Sequence, residues 1–445
     1  MTPYLGEMPI ITEATTVLAD NVSRNQSQGS KVKILFNPLV PITRLPRDLQ
    51  LLFWSLFLWS FGYGLYNYIW PLFLRDLNAN PGEVGLVFSI GFLSLAASMI
   101  PGGILANKYE LRIILIIGWA LSIPVPLMYY YARNWADVIP GIVLLQASGF
   151  NIPAFNAYIA GAAGKGKTGS SFGAVWASAP LGAVFSPAIG GVLLSWISIQ
   201  QIFLFTFVLF TVSTAILFWM KPQPPTRTDT RQFSIETPRS IPEATLLLVL
   251  TGAAVTFSMA SPFLPLFFND VLGLAPNIIQ ALGSIQALGQ TAFAILLGRR
   301  ADKRGRGEAM SLGLVIAATG LAGIVLTRNL LFALPLIFFV GSTRASSYIA
   351  YSVLATIRSG ATRGGQYGFY LTLEDLGFVA GSYLGGILYA IDPALGFTVI
   401  VISLLLLAIP AAMTSFVDTS PSKQESPMVL DLRDVPTMAM PEVFE

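Results

Sequence analysis

The chain has 445 residues, of which 54% are hydrophobic and 11% charged, with a formal net charge of +3. An ordinary soluble domain is about 25% charged, so this composition excludes a polar-coated soluble protein and makes lipid the natural solvent. The absence of cysteine and histidine excludes disulfides, thiolate chemistry and the usual zinc ligands, and leaves carboxylates to carry any proton near neutral pH.

Residues 1–50 read as a polar tail, with no charged segment leading into an apolar run as a cleaved leader would have. Twelve apolar stretches follow, near 51–74, 84–106, 111–131, 138–161, 172–196, 201–220, 244–268, 277–298, 308–327, 331–356, 367–390 and 395–417. Each is long enough to cross a hydrocarbon core of about 30 Å as a helix. The pattern predicts an all-α membrane protein with a six-helix bundle over 51–220, a Pro- and Thr-rich linker over 221–243, a second six-helix bundle over 244–417 and a polar tail over 418–445. With the N-terminus inside, the inner loops hold fifteen Lys and Arg against three outside, Arg75, Arg133 and Arg328. Positive charge is retained on the cytoplasmic side, so both termini are expected there, in a plasma (inner) membrane.

The two halves repeat. "PLFLRD" (71–76) returns as "PLFFND" (265–270), and "GSSFGAVWASAPLGAVFSPAIGGVLL" (169–194) aligns with "GGQYGFYLTLEDLGFVAGSYLGGILY" (364–389). Parallel six-helix repeats are a transporter architecture. They also judge "GAAGKGKT" (161–168), which fits the phosphate-loop pattern at every fixed position. Such a loop joins a buried strand to a helix, whereas this one joins two membrane helices. Its repeat counterpart, Ala361–Thr362–Arg363, keeps a positive charge and loses the motif. The stretch reads as a small basic loop; no ATP, no nucleic acid and no cofactor are expected.

Three charges fall deep inside spans: Arg344, Glu374 and Asp375. At 1.5 Å per residue, Arg344 lies about 21 Å from Arg358 and Glu374 about 16 Å from Arg363. An unpaired charge at that depth costs at least about 3 kcal/mol, so Arg344 is expected to pair with one acid while the other faces elsewhere. Glu374 is favoured for the cavity, because it shares a face with Tyr370, Gly377 and Gly381. Further polar and aromatic groups share helical faces: Arg344 with Ser347, Tyr348 and Tyr351, and Tyr63 with Tyr66, Asn67 and Trp70. Gln146, Asn151, Gln286 and Gln290 add hydrogen-bonding groups. Together with Tyr370 these predict a substrate cavity between the halves.

"GRRADKRGR" (298–306) resembles the hallmark loop of the major facilitator superfamily through Gly298, Asp302, Lys303, Gly305 and Arg306. The first-half copy is degraded, with Asn107 in place of the acid. "GAVFSPAIGG" (182–191) is similar to a motif of that superfamily's drug/proton antiporters at Gly182, Pro187, Gly190 and Gly191, with Ser186 in place of a glycine. The arginine those antiporters carry in their fourth helix has no counterpart in "LLQASGFNIPAFN" (144–156). The resemblance implies a secondary transporter working by alternating access, monomeric, with the Asp302 loop latching one state. Glu374, Asp375 and Arg344 are the candidates for proton coupling. The expectation is proton-coupled export of small amphipathic molecules. The alternatives are proton-coupled uptake of a small, even anionic, solute, or a membrane sensor or lipid-handling protein that transports nothing.

Overall fold

The computed structural model describes residues 40–163, 168–226, 241–327, 329–357 and 363–414. After one helical turn at Val40–Thr43, they form twelve spans: α1 (Arg47–Gly64 and Trp70–Asp76), α2 (Pro81–Lys108), α3 (Leu111–Ser122 and Val125–Tyr131), α4 (Ile139–Ala147 and Ile152–Ala162), α5 (Thr168–Trp176 and Ser178–Leu194), α6 (Ile199–Leu217), α7 (Ile241–Ala260 and Phe263–Asp270), α8 (Pro276–Arg304), α9 (Arg306–Leu326), α10 (Leu330–Val340 and Ser342–Ile357), α11 (Arg363–Ile391) and α12 (Pro393–Met413). By length and composition alone, ten are apolar enough to cross a membrane. The other two are α1, interrupted at 65–69, and α11, which carries Glu374 and Asp375. The first span starts at Arg47 rather than near 51.

Most interruptions trace to proline, whose missing N–H leaves the carbonyl four residues earlier unpaired. Pro262 stands in the break of α7, Pro124 stands in that of α3 with Pro126 just beyond it, and Pro153 follows that of α4. In α5, Pro180 cannot donate to Trp176, and the helix breaks at Ala177. The repeat counterpart of Pro180 is Asp375, and α11 runs through it unbroken. Ends are closed by caps. Asn80 and Glu83 form a capping box on α2, Ser198 and Gln201 another on α6, and Asp392 caps α12. Gly305 turns α8 directly into α9 at φ +106°, a value that favours glycine.

Outward faces are apolar. On α12, Ile402, Leu405, Leu406 and Ile409 are exposed while Ile400, Leu404, Ala408 and Ala411 are buried, a helical stripe offered to lipid. Between the halves, α2 lies along α11 and α5 along α8. One apolar cluster runs through both halves, and a second, around Leu49, Leu115, Phe155 and Tyr158, belongs to the first half alone.

The linker expected from residue 221 begins as a bonded strap. Leu111 N donates to Gln223 O, Arg112 to Met220 O, the Tyr158 hydroxyl to Lys221 O, and Thr226 to Ala106 O and Asn107 Oδ1. The strap therefore covers the degraded copy of the hallmark loop. Lys165 and Lys167 of the phosphate-loop look-alike lie outside the described residues.

Candidate functional site

The halves are tied together at the end opposite the termini. Arg75 at the end of α1 pairs with Asp270 and hydrogen-bonds Asn269, both at the end of α7. The Tyr389 hydroxyl of α11 donates to the same Asp270 (3.0 Å). Nearer the middle, Ser89 of α2 donates to Val379 O (2.8 Å), and the Phe92 and Phe378 rings meet with centroids 5.1 Å apart.

Gln280 of α8 reaches across to α1. It is fully buried, donates to Gly64 O (2.7 Å) and accepts from Ile69 N (3.0 Å). These are the two backbone groups bracketing the interruption at 65–69, so a side chain of the second half completes the hydrogen bonding of a helix in the first. Beside it, Ala188 N of α5 donates to Ser284 Oγ of α8 (2.8 Å). The antiporter-like motif sits in this seam. A Cβ on Gly190 would strike the Leu65 carbonyl of α1, and one on Gly191 the Asn277 carbonyl of α8. Ser186, which replaces a motif glycine, fits because it lies against Gly64, which has no Cβ. Gly182 packs against the α1 backbone at Phe57 and Phe61.

Below the Phe92–Phe378 contact lies the buried charge cluster. Arg344 Nη1 donates to Glu374 Oε1 at 2.9 Å, with side chains 23% and 5% exposed. The guanidinium also lies 5.4 Å from the Phe257 ring centroid and 5.2 Å from that of Phe378, within cation–π range. Asp375 is buried, and no hydrogen bond to it occurs among the described residues. The face shared by Tyr370, Glu374, Gly377 and Gly381 is packed onto α7 rather than open: Gly377 touches Thr251 and Ala254, Gly381 touches Val255 and Ser258, and the Tyr370 hydroxyl donates to Glu243 Oε1 (2.9 Å). Glu374 therefore occupies a helix seam and meets the interior through Arg344.

The other expected cavity residues separate into groups. Gln146 and Asn151 line a cavity of about 240 Å³ within the first half, walled by Trp59, Trp119, Phe155 and Trp176. Tyr63, Tyr66, Asn67 and again Gln146 line a smaller chamber beside it. Gln286 faces a separate small pocket inside the second half, with Thr256 and Thr343. Gln290 lies on α8 near the Gly341 break of α10. Ser347 is buried in helix packing, and the side chains of Tyr348 and Tyr351 lie outside the described residues. In the hallmark loop Arg300 and Arg304 pair with Glu308, while Asp302 and Lys303 are exposed, with no bonding partner for Asp302 among the described residues. Gly298 borders open space, and Arg306 begins α9.

Sequence reasoning missed several of these participants. Glu243 is buried, yet its place at the edge of a polar linker marks it as a loop residue. Trp59 could have been found, since it precedes Tyr63 and Tyr66 by one and two turns. Nothing in sequence singles out Phe257 or Gln280.

The family model for the Major Facilitator Superfamily matches residues 52–274 and 246–431. The chain belongs to the major facilitator superfamily. It is thus an integral, multi-pass membrane transporter and not an enzyme. It is 25% identical over 368 residues to the multidrug resistance protein MdtG of Proteus mirabilis, covering 77% of this chain and 89% of the relative. To the MdtG of Enterobacter lignolyticus it is 26% identical over 355 residues, covering 76% and 85%. Among solved structures, the nucleoside transporter NupG superposes with a TM-score of 0.68 at 13% identity, covering 84% of this chain and all of that one. A bacterial homologue of the human lysosomal transporter Spinster, in an inward-facing and unoccupied conformation, gives 0.64 at 15%, covering 84% and 98%. At such identities the structural likeness speaks for the fold alone.

Proposed function

We propose that this transporter exports small amphipathic organic molecules in exchange for protons, as a monomer working by alternating access, with both termini cytoplasmic. The observation that carries the reading is the Arg344–Glu374 ion pair, with Asp375 beside it, directly below the ring contact that joins the halves. An ion pair in a low-dielectric interior is strong while both partners are charged. Protonation of Glu374 removes the attraction and leaves Arg344 held to α11 by the Phe378 ring. Since Arg344 also lies against Phe378, which touches Phe92, the state of the carboxylate is felt at the seam between halves. Asp375 offers a second buried carboxylate one residue on. The names of the MdtG relatives support export as the direction. Uptake of an anion bound by Arg344 is the weaker reading, because that guanidinium is already engaged by Glu374 and two rings. In the exchange cycle Asp302 acts in the opposite state, latching the terminus-side ends once they close.

The test is flux in vesicles containing the purified protein, with and without an imposed pH gradient. Wild type should move substrate against its gradient. Glu374→Gln should lose gradient-driven flux yet retain substrate exchange at equilibrium, with Asp375→Asn milder. Proton-driven accumulation by the double variant Glu374→Gln, Asp375→Asn would rule out coupling at this cluster.

A further inference from the structure

The break in α4 puts an amide into the wall of the ring-walled cavity. There the helix tightens into a 3-10 turn over Ser148–Asn151, and Asn151 Nδ2 donates back to Ser148 O (2.6 Å). A carbonyl can only accept, so the nitrogen is the atom already engaged and Oδ1 is the one left over. Oδ1 accepts from no described residue, yet it is not sealed in as Gln286 Oε1 is. Gly118 of α3 makes the room for this arrangement, since a Cβ there would strike Asn151 at Cβ, Cγ and Nδ2. Asn151 is otherwise buried and lines the cavity, so that space is what its free oxygen meets.

The rest of the wall offers ring surface and few donors. Three indole N–H groups are engaged elsewhere: Trp59 donates to Ser122 Oγ (3.1 Å), Trp119 to Ser213 Oγ (3.0 Å) and Trp176 to Asn156 Oδ1 (3.1 Å). None of those three acceptors lines the cavity. The Ser148 hydroxyl donates to Leu145 O. The rings also hold one another in place. Trp59 stacks on Phe210 at 5.4 Å, Trp119 on Phe155 at 5.9 Å, and Phe155 meets Trp176 edge-on at 4.9 Å, centroid to centroid. Walls already packed in this way lose little freedom on binding.

Size and charge narrow the occupant. An apolar cavity of about 150 Å³ takes benzene, so one of about 240 Å³ takes two fused rings. None of the lining residues is charged. Ring faces attract a cation, but an ion stripped of water with no counter-charge loses more than the rings return. We propose that this cavity binds uncharged two-ring aromatics carrying an O–H or N–H group, such as naphthols and indoles, with that group donating to Asn151 Oδ1. The site is built by the first half alone. The inference rests on the transport reading for the fate of the bound molecule, though not for binding itself.

The experiment measures binding at pH 7 to full-length protein in lipid nanodiscs by equilibrium dialysis, with empty nanodiscs subtracted. Four probes share a naphthalene body: 2-naphthol, 2-methoxynaphthalene, 2-methylnaphthalene and 2-naphthylmethylammonium. The naphthol should bind about 3- to 10-fold more tightly than either the methoxy or the methyl compound, the worth of one net hydrogen bond. Asn151→Leu should close that gap and leave the methyl compound within twofold. Trp176 is the exposed residue of the wall, at 38%, so Trp176→Ala keeps the site testable even if Asn151→Leu fails to fold. It should weaken all three neutral probes together by about 3- to 10-fold, the worth of a lost ring contact. Equal binding of naphthol and methylnaphthalene would overturn the proposal, as would a methoxy compound that matches the naphthol. So would tightest binding by the ammonium compound, a naphthol gap that survives Asn151→Leu, or neutral probes indifferent to Trp176→Ala. Flux in vesicles separates this from the transport reading. Naphthol-selective binding without proton-driven flux would sink coupling and leave the site standing; proton-driven flux without selectivity would do the reverse.

Discussion

Arg344 and Glu374 show how much one contact can carry in this interior. Glu374 is 5% exposed and Arg344 23%, so neither can rely on water once its partner is gone. Breaking a buried pair by removing one member costs about 3–5 kcal/mol. Arg344→Ala removes the cation paired with Glu374 and takes the guanidinium from between Phe257 and Phe378. It should lower thermal stability in detergent more than Glu374→Gln, which keeps a neutral hydrogen-bond acceptor for Arg344. Adding Glu374→Leu to Arg344→Ala should recover part of the loss, since an apolar replacement of the whole pair is often neutral or better. Melting curves of the three variants read this directly. An Arg344→Ala protein as stable as the parent would mean that the pair contributes nothing net to the fold.

Among the helices, α1 gives the clearest case of an element finished by a neighbour. Its interruption at 65–69 leaves Gly64 O without a helical partner and Ile69 N with only a turn bond to Tyr66 O, and Gln280 of the other half bonds both. Gln280→Leu is close in volume and leaves the buried Gly64 O unpaired, at about 1–3 kcal/mol, and Ile69 N with only its bond to Tyr66 O. The cost falls on the state in which α1 and α8 are in contact; in a state where water reaches the break, the groups are solvated either way. The variant should therefore shift the conformational balance away from the state described here. Because the chain has no cysteine, spin-label pairs can be placed at the ends of α1 and α7 without background. Distance distributions from pulsed electron resonance should gain a longer component in Gln280→Leu, and an unchanged distribution would deny Gln280 this role. The contrast between α5 and α11 has the same logic. Pro180 breaks one repeat copy where Asp375 lets the other run on, so the two crossing helices are equivalent in position and different in mechanics.

For the whole molecule, the pseudo-repeat sets the geometry of closure. Arg75 reaches Asn269, its counterpart 194 residues on, and the adjacent Asp270, so equivalent helix ends face one another at the approximate two-fold axis. Both side chains are about a third exposed, and such a pair is worth only about 0–1 kcal/mol. That is little against unfolding but up to about a fivefold change in a two-state population. Arg75→Asp or Asp270→Arg alone should favour opening at this end, and the exchange Arg75→Asp, Asp270→Arg should restore closure. Labelling rates at cysteines introduced below the pair would report it; an exchange variant as open as either single change would show that charge pairing does not hold this end.

Length, hydropathy and repeat by themselves determined that the chain spans a membrane twelve times in two like-oriented bundles, because in lipid only a closed helix satisfies its backbone and twenty-odd apolar residues leave no other choice. That Arg344, Glu374 and Asp375 fall within helices rather than loops was equally legible, since each stands well inside an apolar stretch. Which way each side chain points was not. The turn of α11 that places Glu374 on Arg344, the packing of its Tyr370 face onto α7, and the seating of Glu243 in that seam depend on helix rotation, which neighbouring side chains set jointly. The division of the expected single cavity into a ring-walled space, a smaller chamber around Tyr66 and Asn67 and a separate pocket around Gln286 was likewise decided by tertiary packing. So was the stitch from Gln280 to α1, which joins residues more than two hundred positions apart through a break whose partner no local pattern names.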